Sequence, residues 1–279
     1  MSIELPEAKV LAQQLNDAII GLTIESYDLQ DVERMMKIGF INKNLSDFKS
    51  LVGKRVEEVL SRGNTIRVKL SDKMNLLIAP EYGGVISFLE EGGKPPKYHL
   101  RLTFKNGTIM TTRITSMGLI YSISDENLED NYMYRRDFLS GVSPDEPDFT
   151  IDWFKETIRK ENRQLKPLLV GKDAYLIGIS NATFQDVIYR AGIHPKRKAS
   201  ELSEEEFEEL YDAITTVIDE RLRLNGKTEF QDIYGKKGGY TPAIGSYMRD
   251  SRCPNCGTYI LRMSHGGGHV YICPNCQPE

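Results

Sequence analysis

Four cysteines constrain this chain more than any other feature. They stand as Cys253-Pro-Asn-Cys256 and Cys273-Pro-Asn-Cys276, two C-x-x-C knuckles with sixteen residues between them. Two residues between thiols bring both sulfurs into one tight turn, so two such turns build a tetrahedral four-thiolate cage for one structural zinc ion. Residues 258–263 and 269–272 read as strands around a Ser264-His265-Gly-Gly-Gly turn, which predicts a zinc-bound β-hairpin. The competing use of the thiols is a pair of disulfides. No basic start with an apolar run opens the chain and no stretch approaches eighteen apolar residues, so the expectation is a reducing, cytoplasmic setting with no membrane segment. A zinc ion with four thiolates has no open position for chemistry, so function is to be sought upstream.

With 279 residues, the chain has room for two domains, or one domain with appendages. A net charge of -4 and a pI near 5.7 argue against a uniformly basic surface. The charge is segregated, however. Residues 155–198 hold ten Lys and Arg against four acids, and residues 201–223 hold nine acids against two bases. The basic segment is either a footprint for a phosphate backbone or a solvated face.

Pro6 suits the first turn of a helix, and Ala8, Leu11, Ala12, Leu15, Ala18 and Ile19 keep helical spacing up to Gly21. After that the period is two. Residues 65–70, 75–78, 83–88, 98–104, 108–112 and 119–123 read as strands, with Asn106-Gly107 as a hairpin turn. One helix followed by many short strands predicts a β-sandwich with that helix packed on it. Residues 126–149 are acidic and proline-bearing and read as a linker. Thr150 is expected to cap a helix running to Leu165, and residues 167–177 give another helical piece. Ser180-Asn181 starts a helix ending at Ala191-Gly192, and Ser203 with Glu206 forms a capping box before a long helix stopped by Asn225-Gly226. The predicted class is α+β: an N-terminal β-sandwich over 1–125, a linker over 126–149, a helical domain over 150–226, and a C-terminal segment over 227–279 carrying the zinc hairpin.

The run Gly178-Ile-Ser-Asn-Ala-Thr-Phe-Gln-Asp-Val-Ile-Tyr-Arg-Ala-Gly-Ile-His-Pro195 resembles the helix–two-turn–helix of the formamidopyrimidine-DNA glycosylase and endonuclease VIII family. Glu4-Leu-Pro-Glu7 resembles that family's N-terminal signature, and the tail resembles its zinc finger, in the same order along the whole chain. The resemblance implies a base-excision repair protein that holds damaged duplex DNA between sandwich and helical domain, flips a base, and works as a monomer. It also implies phosphate contacts for Lys166 and Asn181, although Asn181 reads equally as a helix cap. His194 reads as a buried turn residue as readily as a functional one.

Several positions depart from the family pattern. The family attacks the sugar C1′ with an N-terminal amine, usually of proline, next to a glutamate. Glu4 aligns with that glutamate, which puts Ile3, an internal amide, at the nucleophile position. Ser2 would carry a free amine if Met1 were removed, but one residue too early, about 3.8 Å away along the chain. The sandwich lysine of an Arg-Gly-Lys turn is replaced in Arg62-Gly63-Asn64. Tyr82 and Met117 correspond to the residues that fill the gap of a flipped base, or are ordinary loop residues. The hairpin tip lacks the family's arginine and offers His265 and His269. Glu4 then either activates water for base removal without strand cleavage, or simply caps the first helix. The expectation is a DNA glycosylase with weak or absent abasic-site lyase activity; the alternative is a catalytically inactive damaged-DNA binder of the same fold.

Overall fold

The computed structural model describes residues 3–279, apart from the side chain of Tyr82, and so leaves Ser2 outside the described residues. The chain forms two compact units, Met1–Ser140 with Leu224–Gly239, and Gly141–Arg223 with Tyr240–Glu279.

The first unit opens with α1 (Leu5–Ile19), with Pro6 in its first turn where a missing N–H costs nothing. Strand β1 (Ile24–Leu29) follows, then α2 (Glu33–Ile38) and a 3-10 segment, Leu45–Leu51. The remaining strands are β2 (Val56–Arg62), β3 (Thr65–Leu70), β4 (Met74–Tyr82), β5 (Val85–Leu89), β6 (Leu100–Phe104), β7 (Ile109–Arg113) and β8 (Met117–Ser124). They make two antiparallel four-stranded sheets, ordered β1-β6-β7-β5 and β2-β3-β4-β8. One core joins them: Leu100, Leu102, Phe104 and Met110 of the first sheet, Ile66, Val68, Leu76 and Ile78 of the second, and Ala8, Leu11, Leu15 and Ile19 of α1. The expected sandwich with its packed helix is therefore present. Strands β3 and β6 bury alternate residues, as the period of two requires.

The span 126–149 is structured through much of its length. A 3-10 turn (Asp125–Asp130), α3 (Tyr132–Tyr134) and a π-helical turn (Arg135–Leu139) lie in it, and Asp137 is fully buried. Residues 224–239, past the long helix, cluster with the first unit, where Phe230 and Ile233 join the sandwich core.

In the second unit, Thr150 caps α4 (Ile151–Ile158) by accepting from the Trp153 N–H. The helix stops seven residues short of the expected Leu165, and α5 is only Leu165–Leu169. The basic stretch beyond Ile158 turns instead and hydrogen-bonds backbone groups near Lys198, through Ala199 N–H to Arg163 C=O. Helix α6 (Asn181–Arg190) and α7 (Glu204–Arg223) stand as expected, and the Ser203–Glu206 capping box is formed in both directions. The tail is a hairpin of β9 (Leu261–His265) and β10 (Gly268–Ile272), closed by Gly266 and Gly267, both at positive φ as a two-residue hairpin turn demands.

The segregated charges neutralise one another. Lys155 and Arg159 pair with Glu204, Lys155 also with Glu208, Arg197 with Glu206, Lys198 with Glu201 and Arg190 with Glu220. Four of the ten bases, Lys155, Arg159, Arg190 and Arg197, are thus bound to the acidic helix that follows, and the phosphate-footprint reading of the run loses that share of its charge.

Candidate nucleic-acid interface and excision site

The four cysteine sulfurs lie within 4.8 Å of one another. A tetrahedral ion with Zn–S bonds of about 2.3 Å needs S···S distances of about 3.8 Å. Cys253 and Cys276 stand at 3.8 Å and Cys256 and Cys273 at 3.3 Å, so the donor set fits one structural zinc. The Tyr189 hydroxyl of α6 reaches Cys253 Sγ at 3.2 Å, which ties the cage to the helix. Tyr189, Ile244, Ile260 and Tyr271 pack around Cys253 and Cys273.

The hairpin tip meets the start of α6. Asn181 Nδ2 donates to His269 C=O at 2.8 Å, and Lys166 Nζ donates to His265 C=O at 2.7 Å. Gly266 eases this approach: a Cβ there would lie 2.8 Å from Lys166 Cδ. Lys166, Asn181 and His265 therefore converge, while His269 is exposed and its Nδ1 lies 3.4 Å from Ser264 Oγ. Burial lowers the Lys166 pKa; burial, then the Lys166 charge, lowers that of His265. The His265 ring stacks on Phe184, and its Nε2 and Asn181 Oδ1 are buried polar atoms without partners among the described residues. His194 is buried in the turn after α6, with Nδ1 accepting from the Lys196 N–H at 3.4 Å.

A second cluster lies within the first unit. Ile3 is buried, and its N–H donates to Glu81 C=O at 2.9 Å. That nitrogen is a hydrogen-bonded amide with no lone pair to offer. Glu4 precedes α1, and its N–H donates to Glu7 Oε2 at 3.1 Å. The Glu4 side chain is fully buried, and Lys227 Nζ sits 3.0 Å from its Oε2. The Lys227 N–H donates to Glu7 Oε1 at 3.1 Å, so the loop after α7 is pinned to both acids of the signature. Gly226, at φ +87°, permits this; a Cβ there would lie 2.7 Å from Phe230 Cδ1 and 3.1 Å from Glu7 Cγ. Sequence reasoning missed Lys227. Its only local signal was the Asn225-Gly226 turn just before it.

The Arg62-Gly63-Asn64 turn is organised by Asp137, whose carboxylate accepts from Asn64 N–H at 3.2 Å, Thr65 Oγ1 at 2.6 Å and Arg136 Nε at 2.6 Å. Arg136 also donates to Glu81 Oε1 at 2.9 Å. Burial works against the charge on Arg136, but Asp137 and Glu81 outweigh it and raise its pKa. A guanidinium thus stands by the turn from which the lysine is missing. Tyr82 and Met117 are cross-strand partners at one end of the β4–β8 pair, and Met117 is half exposed.

Three family models match the chain: the formamidopyrimidine-DNA glycosylase N-terminal domain over residues 3–114, the H2TH domain of the same enzymes over 140–232, and a zinc finger found in FPG and IleRS over 250–278. The formamidopyrimidine-DNA glycosylase of Heliobacterium modesticaldum is 31% identical over 98% of this chain and 99% of its own length. This chain belongs to the formamidopyrimidine-DNA glycosylase family. The enzyme of that name from Pelotomaculum thermopropionicum is 28% identical over 98% of each chain. The same fold is seen in a complex between the Lactococcus lactis Fpg and DNA containing an abasic site, with TM-score 0.84 and 22% identity, covering 99% of this chain and all of that one. Ile3 and Glu4 lie inside the stretch matched by the N-terminal-domain model, and the four cysteines inside that matched by the zinc-finger model.

Proposed function

We propose that this chain is a DNA N-glycosylase of base-excision repair that removes oxidised bases from duplex DNA, with a weak or absent lyase step. The observation that carries the reading is the pairing of an Ile3 amide nitrogen, bonded to Glu81 C=O, with a retained Glu4 carboxylate beside it. An amide cannot form a Schiff base, whereas a carboxylate can take a proton from water. The water oxygen then bonds to C1′ as the C1′–N bond breaks. Its electron pair leaves on the base, and the proton held by Glu4 passes to that nitrogen, so the carboxylate is regenerated. No strand bond breaks in these steps.

Lys166, Asn181 and the His265–His269 tip would hold phosphates, since a helix start, an ammonium and an amide at one place suit an anion. Tyr82 and Met117 would occupy the space of the flipped base. The chain would act as a monomer in the cytoplasm, on the nucleoid if bacterial; among the described residues no helix is long and apolar enough to cross a membrane. The full burial of Glu4 in an ion pair favours a second reading, a binder without catalysis. The deciding experiment incubates the protein with duplexes carrying an oxidised purine or an oxidised pyrimidine and measures free base. Base release that disappears in Glu4→Gln, with salt-sensitive binding retained, supports the glycosylase; tight binding without release supports the binder.

A further inference from the structure

Lys227 has no counterpart in the signature that led to Glu4, yet it lies nearer that carboxylate than any other cation among the described residues. Both side chains are almost wholly buried, at 0% exposure for Glu4 and 5% for Lys227, and the charged atoms are 3.0 Å apart. A carboxylate so far from water is stable in its charged form only with a charged or hydrogen-bonding partner. The other charged groups at hand are acidic or already engaged. Glu7 faces the same loop and spends its oxygens on the Glu4 and Lys227 N–H groups. Glu81 accepts the Ile3 N–H on its carbonyl and Arg136 on its carboxylate. Arg136 is committed to Asp137 and Glu81.

We propose that Lys227 is a positioning residue for Glu4, holding it ionised and aimed so that it can activate water. The inference rests on the glycosylase reading above and extends it to a residue of the loop after α7. It also supplies a cause for the weak or absent lyase step of that reading. Lys227 is the primary amine nearest Glu4 among the described residues, and in the ion pair its nitrogen carries four bonds and no lone pair. An amine in that state stabilises a neighbouring carboxylate and does not attack C1′. Gly226 and the buried anchor Phe230 keep the lysine stem in place, so the cation is held by the fold and needs no DNA to arrive.

The test uses full-length protein labelled with 13C at glutamate carboxyls, with Glu4 assigned by its loss in Glu4→Gln. In the wild type the Glu4 signal should stay at its carboxylate position while solvent-exposed glutamates titrate. In Lys227→Met the pH at which it moves should rise by about 2 units, and Lys227→Arg should largely restore it. The acid limb of the base-release rate should move by the same amount, because the working form of Glu4 is the ionised one. An unchanged Glu4 titration in Lys227→Met would overturn the proposal. So would a borohydride-trapped DNA adduct mapped to Lys227, which would make the lysine the nucleophile itself. If Lys227→Met does not fold, the wild-type titration and Lys227→Arg still decide. If the wild type releases no base from any duplex, the glycosylase reading falls, while the carboxyl titration judges Lys227 separately.

Discussion

Removing either partner of the Glu4–Lys227 pair alone should destabilise the first unit strongly, and the two losses should not add. At an effective dielectric of about 20, unit charges 3.0 Å apart attract by about 5.5 kcal/mol. Against this stands the desolvation of two buried ions, several kcal/mol each, so the net value of the intact pair is small. The cost appears when one partner goes and the other stays buried without its counter-charge. Glu4→Gln and Lys227→Met should each destabilise by about 3–5 kcal/mol. The double variant has no orphaned charge and should cost no more than either single one, giving a coupling of about 3 kcal/mol. The single tryptophan, Trp153, lies in the other unit, so the assay is urea unfolding read by hydrogen exchange of the β3 and β4 amides. Effects of the two substitutions that add within about 0.5 kcal/mol would refute the argument.

Three further outcomes follow from the same geometry. Chelating zinc, or Cys273→Ala, should unfold the hairpin and weaken DNA binding at least tenfold while leaving exchange protection in the sandwich, because the cage draws all its ligands from the tail; unchanged binding by the metal-free protein would contradict this. Gly226→Ala places a side chain at φ +87° and within 2.7 Å of Phe230, and should destabilise the first unit by about 1–3 kcal/mol in the same unfolding assay. Burial and the Lys166 charge hold the His265 pKa below the ordinary imidazole value, so the ring is mostly neutral down to pH 6.5. DNA affinity measured from pH 7.5 to 6.5 should therefore gain little from His265, and His265→Gln should show nearly the same pH dependence there; a steep wild-type increase lost in the variant would mean that His265 charges in this range.

Much of this architecture was legible because its determinants are local. The zinc cage depends on spacing within two short knuckles, the α6 start on Ser180 and Asn181, and the Ser203–Glu206 box on residues three apart. Strands β1 and β2 were missed because Ile24–Leu29 and Val56–Arg62 bury few side chains and alternate poorly. The early end of α4 was hidden because residues 159–165 remain helix-compatible, and their turn is fixed by backbone bonds to residues near Lys198. The basic run read as a phosphate footprint because the pairing of Lys155, Arg159, Arg190 and Arg197 with α7 is set by packing and not by local sequence. At the proposed excision site, Glu4 and Ile3 were read from a motif, but Lys227 lies 223 residues further along and meets Glu4 only through the packing of the loop after α7. The same holds for Asp137, which lies in the span read as a linker yet organises the Asn64 turn.

Base removal by a carboxylate without an attacking amine leaves its own balance of products. A duplex with one oxidised base is incubated with the protein, and strand breaks are counted in the same sample before and after alkali, beside the amount of free base. Free base should equal the alkali-induced breaks, with few breaks beforehand. Breaks that appear without alkali in step with base release would contradict it, since they require an amine bonded to C1′.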